Sequence, residues 1–158
     1  MIVTKQKDID RVVAMLGTVR ARAVFLVGCG SCATTAKTGG EPELLAAEAA
    51  LGQRGVAVTG HAVPESGCSV TGTRALLRKY QADLDAADAI LVFACGTGVQ
   101  TVAEVVEVPV MPALDTLFLG NVMRIGQFVE RCAMCGECVL DRTGGICPVT
   151  QCPKGLMN

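Results

Sequence analysis

The sequence has few of the side chains that build hydrolytic active sites or nucleic-acid interfaces. Among 158 residues there is one histidine, one tyrosine and no tryptophan, and the formal net charge is −1. One histidine and scattered carboxylates do not assemble a general acid–base site, so we expect no hydrolytic activity. A nearly neutral chain also has no basic footprint for nucleic acid and no polybasic patch for a membrane surface.

Long uninterrupted apolar runs are also missing near the start of the chain. Charged side chains recur from Lys5 to Arg20, which is the pattern of neither a signal peptide nor a membrane span. We therefore expect a cytoplasmic protein that does not insert into membranes. In a reducing compartment, the nine cysteines indicate metal binding or redox chemistry rather than a disulfide framework.

The composition favours a layered α/β domain. Hydrophobic residues make up 51% of the chain but aromatic residues only 3%, and the 18 glycines suit close packing of helices on a sheet. Apolar runs predict strands over residues 23–27, 56–59, 89–93 and 108–111. Helical spacing predicts helices over residues 8–19, 42–53, 69–85 and 97–106. This alternation predicts a small Rossmann- or flavodoxin-like parallel sheet, with Pro109 placing the last strand at an edge.

The character of the sequence changes near residue 120. We predict an α/β domain over residues 1–120 and a cysteine-rich metal-binding module over residues 121–158. One short helix is predicted at the start of this module, from the spacing of Val122, Ile125, Phe128 and Val129.

Four cysteines follow the ends of predicted strands. Cys29 and Cys32 come just past the first strand. Cys68 lies in the loop after the second strand, and Cys95 lies just past the third. Ligands of open parallel sheets bind beyond the carboxyl ends of the strands. If these three strands are neighbours, the four thiols meet in one crevice, and four thiolates are what a [4Fe–4S] cluster needs.

The other five cysteines lie near the C-terminus, at Cys132, Cys135, Cys138, Cys147 and Cys152. The first three have the tight spacing that wraps one corner of a cluster in bacterial ferredoxins, where a fourth cysteine before proline completes the pattern. Here the gap is longer, so either Cys147 or Cys152 could be the fourth ligand. A second [4Fe–4S] cluster and a structural zinc ion both accept four thiolates, and spacing does not separate them.

Some features have simpler interpretations that stay open. Cys29 and Cys32 at a strand-to-helix turn also resemble a dithiol redox motif. Cys68 alone could be a small buried hydrophobe. His61 lies in the predicted loop after the second strand, where a solvated or capping role is favoured over metal binding.

A basic helix face is the other feature with two interpretations. It is formed by Arg74, Arg78 and Lys79. Solvation is the favoured explanation of this face, and docking is the alternative.

Three stretches near the C-terminus carry a specific pattern. They read Glu-Arg-Cys-Ala-Met-Cys-Gly-Glu-Cys-Val-Leu at 130–140, Thr-Gly-Gly-Ile-Cys-Pro at 143–148 and Cys-Pro-Lys-Gly-Leu-Met-Asn at 152–158. With these stretches the sequence closely resembles the methylenetetrahydrofolate reductase C-terminal family. Upstream, Gly-Cys-Gly-Ser-Cys at 28–32 and Gly-Gly-Glu at 39–41 also look like the N-terminal half of that family.

The resemblance implies a small iron–sulfur subunit that works beside a flavin-bearing reductase. The partner would have a TIM-barrel fold, bind FMN and the folate, and reduce methylenetetrahydrofolate to methyltetrahydrofolate. This chain would pass electrons to that flavin from ferredoxin or a larger electron-transfer complex. The alternatives are a zinc-stabilised scaffold of the same reductase that carries no electrons, and a stand-alone dithiol oxidoreductase.

Overall fold

The computed structural model describes residues 1–151, so Cys152 lies outside the described residues. The strands are β1 (Ile2–Gln6), β2 (Ala23–Val27), β3 (Ala57–Ala62), β4 (Ala89–Val92), β5 (Val110–Pro112), β6 (Leu114–Arg124) and β7 (Gln127–Cys132). The helices are α1 (Ile9–Thr18), α2 (Cys32–Thr35), α3 (Glu41–Gly52), α4 (Val70–Leu77), α5 (Gln81–Asp85), α6 (Gly96–Ala103) and α7 (Pro148–Gln151). Over this range no helix combines the length and the apolar character needed to cross a bilayer.

Four strands form a parallel sheet in the order β3-β2-β4-β5. The two central strands, β2 and β4, are almost entirely buried, because they are continuous apolar runs covered on both faces. The chain leaves β2 for β3 on one side and then crosses to β4 on the other. Such a reversal creates a crevice at the carboxyl ends of the strands. The predicted parallel sheet and the edge position of its last strand are therefore confirmed.

The helices begin and end at residues with recognisable capping chemistry. The Asp8 side chain caps α1 by accepting a hydrogen bond of 2.8 Å from the Asp10 amide. At the start of α3, the Glu43 carboxylate accepts a bond of 2.9 Å from the Gly40 amide. The helix predicted over residues 69–85 is interrupted, because a 3-10 turn at Arg78–Tyr80 separates α4 from α5.

A second, antiparallel sheet has the order β1-β6-β7. The short helix predicted around Val122 and Phe128 is therefore wrong, since these residues pair across a hairpin between β6 and β7. Gly126 makes the turn with a φ of 76°, and side chains along β7 alternate between exposed and half-buried. Valine, isoleucine and phenylalanine favour strands, and pairing of β6 with β1 completes the sheet.

Polar contacts fix the antiparallel sheet against the parallel layer. The Gln6 side-chain amide donates a hydrogen bond of 3.0 Å to the Thr38 carbonyl, in the connection between α2 and α3. The hydroxyls of Thr4 and Thr38 share a buried hydrogen bond of 2.6 Å. The predicted domain boundary after residue 120 falls within β6, and the division into two domains stays a prediction.

Candidate metal centres

Four of the cysteines line one small cavity beyond the carboxyl ends of β2, β3 and β4. Cys29 follows β2, and Cys32 is the first residue of α2. Cys68 lies in the loop between β3 and α4, and Cys95 is the N-cap residue of α6. The cavity has a volume of about 100 Å³, and Ile2 of β1 forms part of its wall. We call it the cysteine cavity; its position is the one expected if the three strands are neighbours.

The four thiols differ in how deeply they are covered. Cys29 is 7% exposed and belongs to the hydrophobic core, whereas Cys68 is exposed. Cys32 and Cys95 are half-buried. The cavity is therefore closed at the Cys29 side and open to solvent at the Cys68 side. A redox group held here would be anchored in the core and reachable by another protein.

Glycines allow the loops of the cysteine cavity to pack closely. A Cβ atom at Gly28 would stand 2.6 Å from the carbonyl oxygen of Gly39. A Cβ atom at Gly98 would stand 2.7 Å from the Cβ atom of Ala94. Both distances are too short for a Cβ atom, so only glycine at these two positions allows the neighbouring backbone segments to pack this closely. The amide of Cys29 also donates a bond of 2.9 Å to the Gly39 carbonyl, which ties the Cys29 loop to the α2–α3 connection.

Hydrogen-bond donors reach three of the four sulfur atoms. The Gly67 amide donates to Cys29 Sγ at 3.4 Å, and the Ser66 hydroxyl lies 3.3 Å from Cys68 Sγ. The Ser31 hydroxyl lies farther from Cys32 Sγ, at 4.0 Å. Donors to sulfur stabilise the thiolate form that binds metal and tune a bound cluster. Sequence reasoning missed Ser66, and its position two residues before Cys68 is the only signal that could have suggested it.

A cluster and a single metal ion place different demands on the four thiols. Over residues 1–151, no three Cys, His, Asp or Glu side chains come close enough together to hold one metal ion. In a cubane each thiolate binds a different iron, so the thiols must surround a space rather than converge on a point. The four thiols lie along the lining of a cavity of about 100 Å³. The assignment of Cys29, Cys32, Cys68 and Cys95 as cluster ligands stays a prediction.

The C-terminal cysteines lie on and after the hairpin. Cys132 is the last residue of β7, and Cys135 and Cys138 are exposed in the loop that follows. The Met134 amide donates to Cys132 Sγ at 3.3 Å, and the φ of Gly136 is 82°, so the chain turns tightly around Cys132. These cysteines form no metal-holding group within the described part of the chain, and their role as ligands stays a prediction.

Helix α7 brings Cys147 back toward the hairpin. The Thr150 hydroxyl donates to the carbonyl of Arg131 at 3.2 Å, next to Cys132. The Thr150 hydroxyl and amide, with a smaller contribution from the Val149 amide, lower the pKa of the Cys147 thiol, and desolvation opposes them only in part. The thiolate is the form that binds metals. The hydrogen bonds thus favour the thiolate form of Cys147, while the choice between Cys147 and Cys152 as the fourth ligand stays a prediction.

His61 is not among the residues that line the cysteine cavity. The prediction that it lies in a loop was wrong, because β3 extends to Ala62 and includes it. Its Nε2 atom lies 3.8 Å from a carboxylate oxygen of Glu41, at the start of α3. The residue is half-buried and does not line the cysteine cavity.

Comparison with known proteins bears on the last part of the chain. No curated protein matches the sequence. Residues 111–158 match the family described as methylene-tetrahydrofolate reductase C terminal. The matched range contains β6, β7, α7 and the five C-terminal cysteines, whereas the cysteine cavity lies outside it. The match confirms the resemblance to the methylene-tetrahydrofolate reductase C-terminal family for residues 111–158. The resemblance of residues 28–32 and 39–41 lies outside the matched range and stays a prediction.

Proposed function

We propose that this protein is an iron–sulfur electron-transfer subunit of a flavin-dependent methylenetetrahydrofolate reductase. The main support for this proposal is the cysteine cavity. The family match of residues 111–158 is the second support. Cys29, Cys32, Cys68 and Cys95 would hold one [4Fe–4S] cluster, which supplies one-electron redox chemistry when bound. The partner subunit, a flavin-binding TIM barrel, would bind FMN and the folate and reduce methylenetetrahydrofolate.

The residues around the cavity have distinct parts in this proposal. The Gly67 amide donates to Cys29 Sγ, and the Ser66 hydroxyl would donate to Cys68 Sγ once that thiol is a deprotonated ligand. Such hydrogen bonds favour the more negative, reduced state of a cluster. Cys29 and Ile2 keep water from the inner wall. The open side at Cys68 is where an electron donor, ferredoxin or a larger electron-transfer complex, would approach.

The C-terminal cysteines would hold a second metal group. Four of Cys132, Cys135, Cys138, Cys147 and Cys152 would bind either another [4Fe–4S] cluster or a zinc ion. The Met134 amide bond to Cys132 and the lowered pKa of Cys147 support thiolate ligation of either kind. A zinc ion would make this segment a structural element of the complex, with electron transfer confined to the cysteine cavity.

The surface of the C-terminal segment supports a docking role. Over residues 1–151, nine large hydrophobic side chains are exposed, and all except Leu45 lie between Leu117 and Ile146. Ile125, at the hairpin turn, is 86% exposed. Such concentrations of exposed apolar side chains mark protein–protein interaction sites. We propose that the flavin-binding subunit docks on this hairpin face, which lies inside the family match.

The dithiol alternative has less support from the geometry. An attacking thiol in a dithiol oxidoreductase must be accessible and is activated by a helix N-terminus. Cys29 is only 7% exposed, and α2 is a single turn of four residues. The zinc-stabilised scaffold without electron transfer is the alternative that remains.

Metal analysis tests the proposal directly. Iron, acid-labile sulfide and zinc are measured per chain in protein purified without oxygen. About eight irons would mean two clusters, and about four irons with one zinc would mean one cluster and one structural site. Zinc alone, or no metal, would contradict the electron-transfer role.

Cysteine variants then assign the cluster. Cys29→Ala and Cys95→Ala should each remove the same electron paramagnetic resonance signal, because both thiols line one cavity. Cys135→Ala should leave that signal intact. If Cys29→Ala and Cys95→Ala removed different signals, the shared-cavity assignment would be wrong.

A further inference from the structure

The cysteine at the start of α6 occupies a position whose side chain usually caps a helix. Cys95 is the N-cap residue of α6, and its side chain accepts no hydrogen bond from the first turn of that helix. Serine, threonine, aspartate and asparagine are preferred at N-caps, because their side-chain oxygen satisfies a free amide of the first turn. Cys95 is half-buried and lines the cysteine cavity, so its sulfur is left for a different partner there.

A side chain from the antiparallel sheet supplies a cap for α6 instead. The Thr116 hydroxyl of β6 accepts a hydrogen bond of 2.9 Å from the amide of Gly96, the first residue of α6. That amide belongs to the peptide unit that joins Cys95 to Gly96, so the bond holds the backbone next to the thiol. Thr116 lies within the family-matched residues 111–158, whereas the cysteine cavity lies outside them. The bond therefore ties the matched segment to the cysteine cavity.

A second threonine connects the same sheet to the helix that carries Cys32. Thr4 of β1 is paired with Thr116 of β6, and directly paired residues place their side chains on the same face of a sheet. The Thr4 hydroxyl shares its buried hydrogen bond with the Thr38 hydroxyl. The Thr38 amide in turn donates a bond of 2.9 Å to the carbonyl of Ala33, in α2. Two adjacent threonines thus hold two of the loops that carry the cysteines.

We propose that Thr116 is a positioning residue for Cys95, an inference that rests on the cluster assignment proposed above. By accepting a bond from the Gly96 amide, Thr116 caps α6 in place of the Cys95 side chain and leaves the sulfur to the metal. Thr4 holds the Cys32 loop against the neighbouring strand, so the paired strands β1 and β6 fix the two ligands relative to each other. Residues that orient metal ligands in this way raise the affinity of a site without touching the metal.

The test compares Thr116→Val with Thr116→Ser in the full chain purified without oxygen. Thr116 is exposed, so valine opens no cavity in the core, and it suits a strand. Thr116→Val should release iron to a chelator about tenfold faster or more, because loss of a group that orients a ligand costs about 10–100-fold in metal affinity. Thr116→Ser keeps the hydroxyl and should retain iron like the wild type.

Thr59→Val is the matched control. Thr59 also lies on a strand, β3, and its hydroxyl donates a bond of 3.4 Å to the carbonyl of Val24. It is not among the residues that line the cysteine cavity. Thr59→Val therefore removes a comparable hydroxyl elsewhere in the fold and should release iron at the wild-type rate. Thermal melts of all variants separate loss of iron from loss of folding.

A measurement on metal-free protein tests the same contact without the cluster. The rate of alkylation of Cys95, followed by mass spectrometry, reports how often its loop opens to solvent. Thr116→Val should raise this rate about two- to tenfold, the factor that corresponds to the loss of one ordinary hydrogen bond. Thr116→Ser and Thr59→Val should leave the rate unchanged.

The outcomes separate this inference from the electron-transfer proposal. If the wild type holds iron and Thr116→Val matches it in both measurements, the positioning role of Thr116 is overturned and the cluster assignment stands. Equal effects of Thr116→Val and Thr59→Val would also overturn the positioning role, because a general loss of stability would explain both. Wild-type protein without iron would overturn the cluster assignment, and the role of Thr116 in metal binding with it.

Discussion

Replacing Gly98 by alanine should destabilise the protein although it lies inside a helix. Alanine is normally favoured over glycine in a helix by about 0.5–1 kcal/mol. In α6, however, the new Cβ atom would stand 2.7 Å from the Cβ atom of Ala94, on the wall of the cysteine cavity. Overpacking of this kind costs about 1–3 kcal/mol. The clash should therefore cancel or exceed the gain in helix propensity.

Gly17 provides the matched control for this prediction. It lies in α1, and a Cβ atom there would meet no other atom within 4 Å. Gly17→Ala should thus raise the free energy of unfolding by about 0.5 kcal/mol, the propensity term alone. The difference between Gly98→Ala and Gly17→Ala isolates the packing term, which we expect to be about 1–3 kcal/mol.

Urea denaturation measures both variants under the same conditions. The transition midpoints give the comparison if the slopes of unfolding free energy against urea concentration agree. We also expect Gly98→Ala to lower the iron content, because Cys95 lies on the same turn of chain and must shift. If Gly98→Ala stabilised the protein as much as Gly17→Ala does, the close packing around the cysteine cavity would be refuted.

Three further predictions address the sulfur environment and the docking face. Ser66→Ala should lower the reduction potential of the cluster, because it removes a hydroxyl 3.3 Å from a cysteine sulfur, while Ser66→Thr should keep the potential unchanged. A redox titration measures both variants, and an unchanged potential in Ser66→Ala would argue against tuning by this hydroxyl. Thr150→Val should raise the pKa of Cys147, so alkylation of that thiol in metal-free protein should slow near neutral pH, as followed by mass spectrometry. Ile125→Ser should weaken binding to the flavin-bearing subunit by calorimetry, whereas Leu45→Ser, exposed but outside the hairpin, should not.

The parallel sheet was predictable because its strands carry a local signal. The strand predicted over residues 23–27 has the bounds of β2, and β4 differs by one residue from its prediction. Both are continuous apolar runs between polar or glycine-rich turns, which is how strands covered on both faces appear in a sequence. Since the cysteines were placed relative to strand ends, their position at the carboxyl edge was predictable as well.

The antiparallel sheet was not predictable by the same reasoning. Short segments around Val122 and Phe128 fit helical spacing as well as strand pairing, so periodicity does not decide between them. The segment around Val122 is a strand rather than a helix because β6 pairs with β1, which lies at the other end of the chain. A strand stabilised by so distant a partner has little local signature.

The amino-acid sequence by itself determined the parallel strands, the cysteine groups that follow them and the family resemblance of the C-terminal segment. These depend on local periodicity, spacing and residue type, which any one stretch of chain carries. Only the tertiary structure decided that Ser66 and Gly67 reach the cysteine sulfurs and that Ile2 forms part of the wall of the same cavity. Those contacts join segments far apart in the chain, and only the packing of whole elements brings them together.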